Sequence, residues 1–155
     1  MKSKSHESTA LGALGAAIGK GLIAGCAGTI AMTISQKIEM KLTGRKPSQA
    51  TVKAVKKVLH IHPDQENAEQ FSNEIHYTYG SVNGVLRGLL SLAGITGFAA
   101  TSLHLAAIWG TAITIEPALD IAPPVNQWKP KDIAIDIFHH AVYAAVTGIV
   151  FDFIN

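Results

Sequence analysis

Between Arg87 and Glu116 the chain reads GLLSLAGITGFAATSLHLAAIWGTAITI (88–115), twenty-eight consecutive residues without a formal charge. A hydrocarbon core about 30 Å thick takes about 20 helical residues to cross. The stretch is longer than one span needs and too short for two. Gly94-Ile95-Thr96-Gly97 supplies a break near its start, because closely spaced glycines favour a turn over a continuing helix. One span then ends before the break, covering about 73–93, and another follows at about 97–116, where Glu116-Pro117 closes it. A single long tilted helix through the glycines is the alternative and leaves three spans.

Two further charge-free stretches, 21–36 and 137–151, lie towards the ends of the chain. Each is short for a crossing of about 20 residues, so each span draws on its flanks. The first runs over about 11–42 and carries Lys20, whose ammonium can reach the headgroups. The last runs over about 131–153. The remaining charges gather mostly in 37–74 and 116–136. The expected fold is all-α: one transmembrane domain over 1–155, an integral membrane four-helix bundle.

Bulk composition agrees. Charged residues make up 15% of the chain, against roughly 25% in soluble domains, too few to cover a water-facing globule. A net charge of +2 is too mild for a nucleic-acid partner, which asks for a dense basic stripe. The single cysteine, Cys26, excludes an intrachain disulfide and a multi-thiolate metal centre. Leu22-Ile23-Ala24-Gly25-Cys26 has the form of a lipoprotein cleavage box, but Lys20 interrupts the apolar region and apolar sequence continues well past Cys26.

The polar loop 43–72 separates the first two spans. Within it, Val52, Val55 and Leu59 recur at helical spacing, with Lys53, Lys56 and Lys57 on the other side. This is a short basic amphipathic helix, suited to an anionic membrane surface or simply solvated. Pro63-Asp64-Gln65-Glu66 then gives a turn and the start of the next helix. With four spans, Lys37, Lys41, Arg45, Lys46, Lys53, Lys56, Lys57, Lys129 and Lys131 share one side of the membrane. Lys2, Lys4 and Lys20 lie on the other, so the positive-inside rule places both termini outside the cytoplasm.

Glycines mark the expected helix contacts. Gly21, Gly25 and Gly28 share a face of the first span with Met32, Gln36 and Glu39. Gly84 and Gly88 do the same work on the second span, whose polar face also holds His76, Asn83 and Arg87. Small residues at such spacing let membrane helices approach closely.

The few polar groups inside the spans are the candidate site. In the last span Asp132, Asp136, His139, His140, Tyr143 and Thr147 fit within an arc of about 100°. Ionisable groups at depth are costly, so this stripe must face other helices or a wet cavity. Asp136 and His140 stand at i, i+4, where a carboxylate can orient an imidazole. The plainer reading is an interhelical hydrogen-bond seam. His104 lies midway along the third span, and His76 opens the second. An Arg–carboxylate pair lowers the cost of burying Arg87 or Glu39. Imidazoles on three helices also admit a haem or divalent-metal reading through His76, His104, His139 and His140, although no HExxH, CxxC or CxxCH spacing is present. No nucleophile–base–orienter set is recognisable, and a non-enzymatic protein is expected.

Several stretches together resemble the YagU-like family of small bacterial inner-membrane proteins. They are Gly19-Lys20-Gly21-Leu22-Ile23-Ala24-Gly25, Glu39-Met40, His76-Tyr77-Thr78-Tyr79-Gly80, Gly84-Val85-Leu86-Arg87-Gly88, Pro117 through Pro124, and His139-His140-Ala141-Val142-Tyr143. The resemblance covers most of the chain outside 1–15 and 45–72. It implies a multi-pass inner-membrane protein and no established reaction. The functional expectation is a polar seam that handles protons, ions or a small polar solute. The alternatives are a haem- or metal-binding membrane subunit, or an accessory subunit of a membrane complex. The expected partners are the lipid bilayer and either a second copy or another membrane protein.

Overall fold

The computed structural model describes residues 2–60 and 68–155, with side chains at 9–50, 52–58, 60 and 70–155. The turn expected at 63–66 lies outside the described residues. Among the described residues the regular structure is five α-helices and a 3-10 turn at Val125–Gln127: α1 Lys2–Thr43, α2 Ala50–Leu59, α3 Ala68–Leu92, α4 Gly97–Ala118 and α5 Pro130–Ile154. No strand occurs among the described residues.

Each helix end has a local cause. α1 continues unbroken through the Leu22–Cys26 box and stops at Gly44, whose φ is +71° and whose N–H donates to the Met40 carbonyl at 2.9 Å. The break after α3 is a left-handed cap on Gly94, φ +78°. The Gly94 N–H donates to the Ser91 carbonyl at 3.0 Å and the Ile95 N–H to the Leu90 carbonyl at 2.9 Å. This paired closure satisfies carbonyls that a helix end leaves orphaned. The single long helix through 94–97 is therefore excluded. Pro117, expected to terminate α4, sits inside its last turn instead. A proline lacks an N–H but can still follow helical dihedrals. The helix ends one residue later, at Ala118, by the same paired closure, with Asp120 at φ +51° in the left-handed position.

Side-chain contacts fix the directions of the four long helices. Ala17 of α1 meets Gly88 of α3, Gly21 meets Gly84, and Gly25 meets Gly80 and Gly84, so the two run antiparallel. Gly28 of α1 packs on Tyr143 and Thr147 of α5, also antiparallel, while Lys20 reaches Asn155. α4 lies antiparallel to α5 through Thr101 beside Gly148 and Trp109 beside Asp136. The termini of α1 and α5 share one end of the molecule. α2 closes the other end, where Lys57 donates to the Leu119 carbonyl at 2.5 Å and pairs with Asp120 at 3.3 Å.

Among the described residues, three helices are long and apolar enough to cross a membrane: Thr9–Thr43, Gly97–Ala118 and Pro130–Ile154. α3 is also 25 residues long, but Gln70, Asn73, Glu74, His76, Asn83 and Arg87 dilute its apolar content. The distribution of polarity is inverted relative to a soluble globule. The largest fully buried side chains are Arg87, Phe151, His104, His139, Thr29 and Thr147, while Phe98 is 88% and Phe153 89% exposed.

Candidate functional site

Hydroxyls within the long helices are first satisfied locally. Thr29 donates to the Gly25 carbonyl, Thr33 to Thr29, Thr111 to Ala107 and Thr114 to Gly110, all at 2.7–2.8 Å and one turn back. Such back-bonds let a polar side chain reside in a helix without an outside donor or acceptor. They also commit the hydroxyl proton, so the oxygen is left to accept. Thr33 accordingly accepts from His76 Nε2 at 3.2 Å across the α1–α3 contact.

The polar stripe expected on α5 divides into two faces. His139, Tyr143 and Thr147, spaced i, i+4, i+8, are buried, and Tyr143 and Thr147 meet Gly28 of α1. Asp136 turns towards α4, and Asp136 and His140 are both part-buried. Trp109 of α4 donates its indole N–H to Asp136 Oδ2 at 2.8 Å. His140 Nδ1 donates to the backbone carbonyl of Asp136 at 2.9 Å, with that residue's carboxylate 3.6 Å away. The i, i+4 spacing thus brings the two together, but the backbone carbonyl makes the shorter contact. Asp132 is exposed and outside both groups.

Three polar clusters follow one another along the bundle. At the α2 end, Glu39 accepts from Thr43 at 2.7 Å through Oε1 and from Arg45 Nε and Nη2 at 2.9 and 2.8 Å through Oε2. Its other neighbour is His139, whose Nε2 lies 3.7 Å from Oε2 and whose Nδ1 lies 2.8 Å from Ser35 Oγ. In the middle, the Tyr143 hydroxyl donates to the Gly80 carbonyl at 2.6 Å, and His104 Nε2 donates to the Asn83 carbonyl at 3.0 Å. The His104 and Tyr143 rings meet edge-on with centroids 5.6 Å apart. At the termini's end, the guanidinium of Arg87 is fully buried, pairs with Asp152 of α5 and stands 4.9 Å from the centre of the Phe151 ring. The stacked ring contributes a cation–π attraction on one face of the guanidinium.

Arg87 and Glu39 each have the opposite charge their burial demands, but not in one another: the pairs are Arg87–Asp152 and Glu39–Arg45, at opposite ends of the molecule. Asp152, Arg45, Ser35 and Trp109 escaped sequence reasoning. Asp152 had a signal, since it bounds the last charge-free stretch as Arg87 bounds the longest one. Ser35 and Trp109 had none, because their roles depend on which faces of α1 and α4 turn inward.

Five buried polar atoms have no hydrogen-bond partner among the described residues: Arg87 Nε and Nη1, His104 Nδ1, His139 Nε2 and Thr147 Oγ1. All belong to α3, α4 and α5, and they occur from one end of the bundle interior to the other. The four candidate histidines do not converge. Among the described residues, no group of three or more His, Cys, Asp or Glu side chains is placed to share a metal ion. A shallow open groove lined by Ala106, Ala107, Gly110, Thr111, Thr114 and Ile115 lies along the surface of α4. No protein-family model, curated protein or solved structure matches this chain.

Proposed function

We propose that this is a non-enzymatic, four-span protein of a bacterial inner membrane, whose internal polar seam handles protons, ions or a small polar solute. The observation that carries the reading is the inversion of polarity. Arg87, His104, His139 and Thr147 are buried while large apolar side chains line the outside. In water such an arrangement forfeits hydrophobic burial and desolvates charge. In lipid it is the expected one, because apolar surface meets hydrocarbon and polar groups retreat between helices. The resemblance to the YagU-like family supports the same multi-pass reading.

α3 is the fourth span. Two of its polar side chains face inward, His76 bonding Thr33 and Arg87 pairing with Asp152, while the Asn83 amide donates to the Tyr79 carbonyl one turn back and Gln70, Asn73 and Glu74 are exposed at its start. A segment too polar to cross alone can cross when neighbours satisfy its polar groups. The haem or metal alternative draws no support from histidines that each bond a different partner. The accessory-subunit alternative loses Gly84 and Gly88 as an outer surface, since both are occupied by α1.

Flux tests the reading. Proteoliposomes carrying the wild-type chain and a pH-sensitive dye should dissipate an imposed pH gradient, and the double variant His139→Ala/His140→Ala should lose most of that rate. Equal, background-level rates for the two would remove the transport reading.

A further inference from the structure

Ser35 determines which nitrogen of His139 carries a proton. Its hydroxyl has one proton, directed to the Met32 carbonyl one turn back at 2.8 Å. The same oxygen lies 2.8 Å from His139 Nδ1. With its proton committed to Met32, Ser35 accepts from His139, so the neutral imidazole is protonated on Nδ1 and has a lone pair on Nε2. The opposite assignment gives up the bond to Met32 and gains nothing. A proton on Nε2 finds its nearest acceptor, Glu39 Oε2, at 3.7 Å, beyond hydrogen-bond range.

In the neutral state two acceptors therefore face one another inside the bundle. The His139 side chain is 2% exposed and Nε2 has no partner. Glu39 is held in place from its other side, with Thr43 on Oε1 and Arg45 on Oε2. An added proton on Nε2 turns the facing pair into an imidazolium–carboxylate ion pair at 3.7 Å, an attraction between opposite charges that the neutral ring lacks. The charged groups around His139 are Glu39 on α1, Arg45 just beyond it, and Asp136 one turn back on α5. On α3, His76 engages Thr33, on a different side of α1. On α4, Trp109 takes up Asp136. No third metal-ligating side chain joins the pair among the described residues, so the arrangement suits a proton and not a metal ion.

We infer that His139 Nε2 is a proton-binding site held by Glu39 across the α1–α5 contact, and that the proton is the ion the seam handles. This rests on the seam reading above and names its cargo. His140, adjacent in sequence, is a different case: its Nδ1 proton is bonded within its own helix, to the Asp136 carbonyl.

Histidine nitrogen NMR tests the site independently of flux. The protein is labelled with 15N-histidine in lipid nanodiscs, and the His139 signals are assigned by their loss in His139→Gln. The neutral form should be the Nδ1–H tautomer, converting to imidazolium as pH falls. Ser35→Ala should move the neutral form towards Nε2–H, and Glu39→Gln, which keeps shape and acceptor, should reduce the imidazolium fraction at a fixed pH at least threefold. An Nε2–H neutral tautomer in the wild type, or a titration indifferent to Glu39→Gln, overturns the site. An Nδ1–H tautomer with a Glu39-dependent titration in a protein that moves no protons supports the site and removes the transport reading. Proton flux that survives His139→Gln overturns the site while leaving the seam reading in force.

Discussion

Arg87 poses the sharpest residue-scale question, because a guanidinium with no exposed surface needs a partner to offset its desolvation. Asp152 is that partner, and its own side chain is 47% exposed. The two partners therefore respond differently to loss of the other. Asp152→Asn leaves the buried cation with a neutral acceptor, and the lost charge-assisted bond costs about 2 kcal/mol. The expected result is a lower midpoint in a detergent-denaturation titration. Replacing both partners by apolar residues, Arg87→Met/Asp152→Leu, should recover most of that loss, since an apolar pair has no desolvation cost to offset. A wild-type midpoint for Asp152→Asn would show that solvent around Asp152 already screens the pair.

At the scale of elements, the α1–α3 contact depends on small residues repeating every four positions on both helices. A Cβ on Gly21 would stand 2.7 Å from the Gly84 carbonyl oxygen, and one on Gly25 2.7 Å from the Gly80 carbonyl oxygen. A Cβ on Gly84 would overlap the Gly21 carbonyl and the backbone of Gly25. These neighbours are backbone, so they cannot rotate aside, and the helices must separate. Gly84→Ala should therefore destabilise by about 1–3 kcal/mol, the range of overpacked cores. Gly110 on α4 has open space around it. Gly110→Ala should be neutral or stabilise by up to about 1 kcal/mol, since alanine is the better helix former. Thermal unfolding of the two variants in one detergent separates these outcomes, and equal shifts would contradict the close approach.

For the molecule as a whole, the pairings place the basic residues of α2 and the 119–131 segment at one end and Asn155 at the other. If the chain spans the membrane as proposed, the positive-inside rule predicts that the α2 end faces the cytoplasm. In a Cys26→Ser background, a membrane-impermeant maleimide applied to intact spheroplasts should label Asn155→Cys and Leu92→Cys but not Lys53→Cys or Gln70→Cys. Labelling of Leu92→Cys and Gln70→Cys from the same side would mean that α3 does not cross. Labelling of Lys53→Cys and Gln70→Cys, with Asn155→Cys and Leu92→Cys protected, would reverse the orientation.

Much of the element layout could be read directly from residues 88–115, because a charge-free run bounded by Arg87 and Glu116 and broken at Gly94 has few helical solutions. The small-residue faces of α1 and α3 were legible for the same reason: four-residue spacing puts them on one side whatever they touch. Pro117 misled, since proline tolerates a helix's last turn and the stop belonged to Asp120. The sequence by itself determined helix content, the apolar character of α1, α4 and α5, and which polar residues lie within them, because these depend on composition and period along one chain. Only the tertiary structure decided that Arg87 answers to Asp152, that Glu39 answers to Arg45 and faces His139, and that the α5 stripe splits between α1 and α4. Arg87 and Asp152 stand 65 positions apart, and Ser35 and His139, beside Glu39, 104. Nothing in local spacing encodes them, because they follow from how closely glycine-lined helices approach and in which rotation they lock.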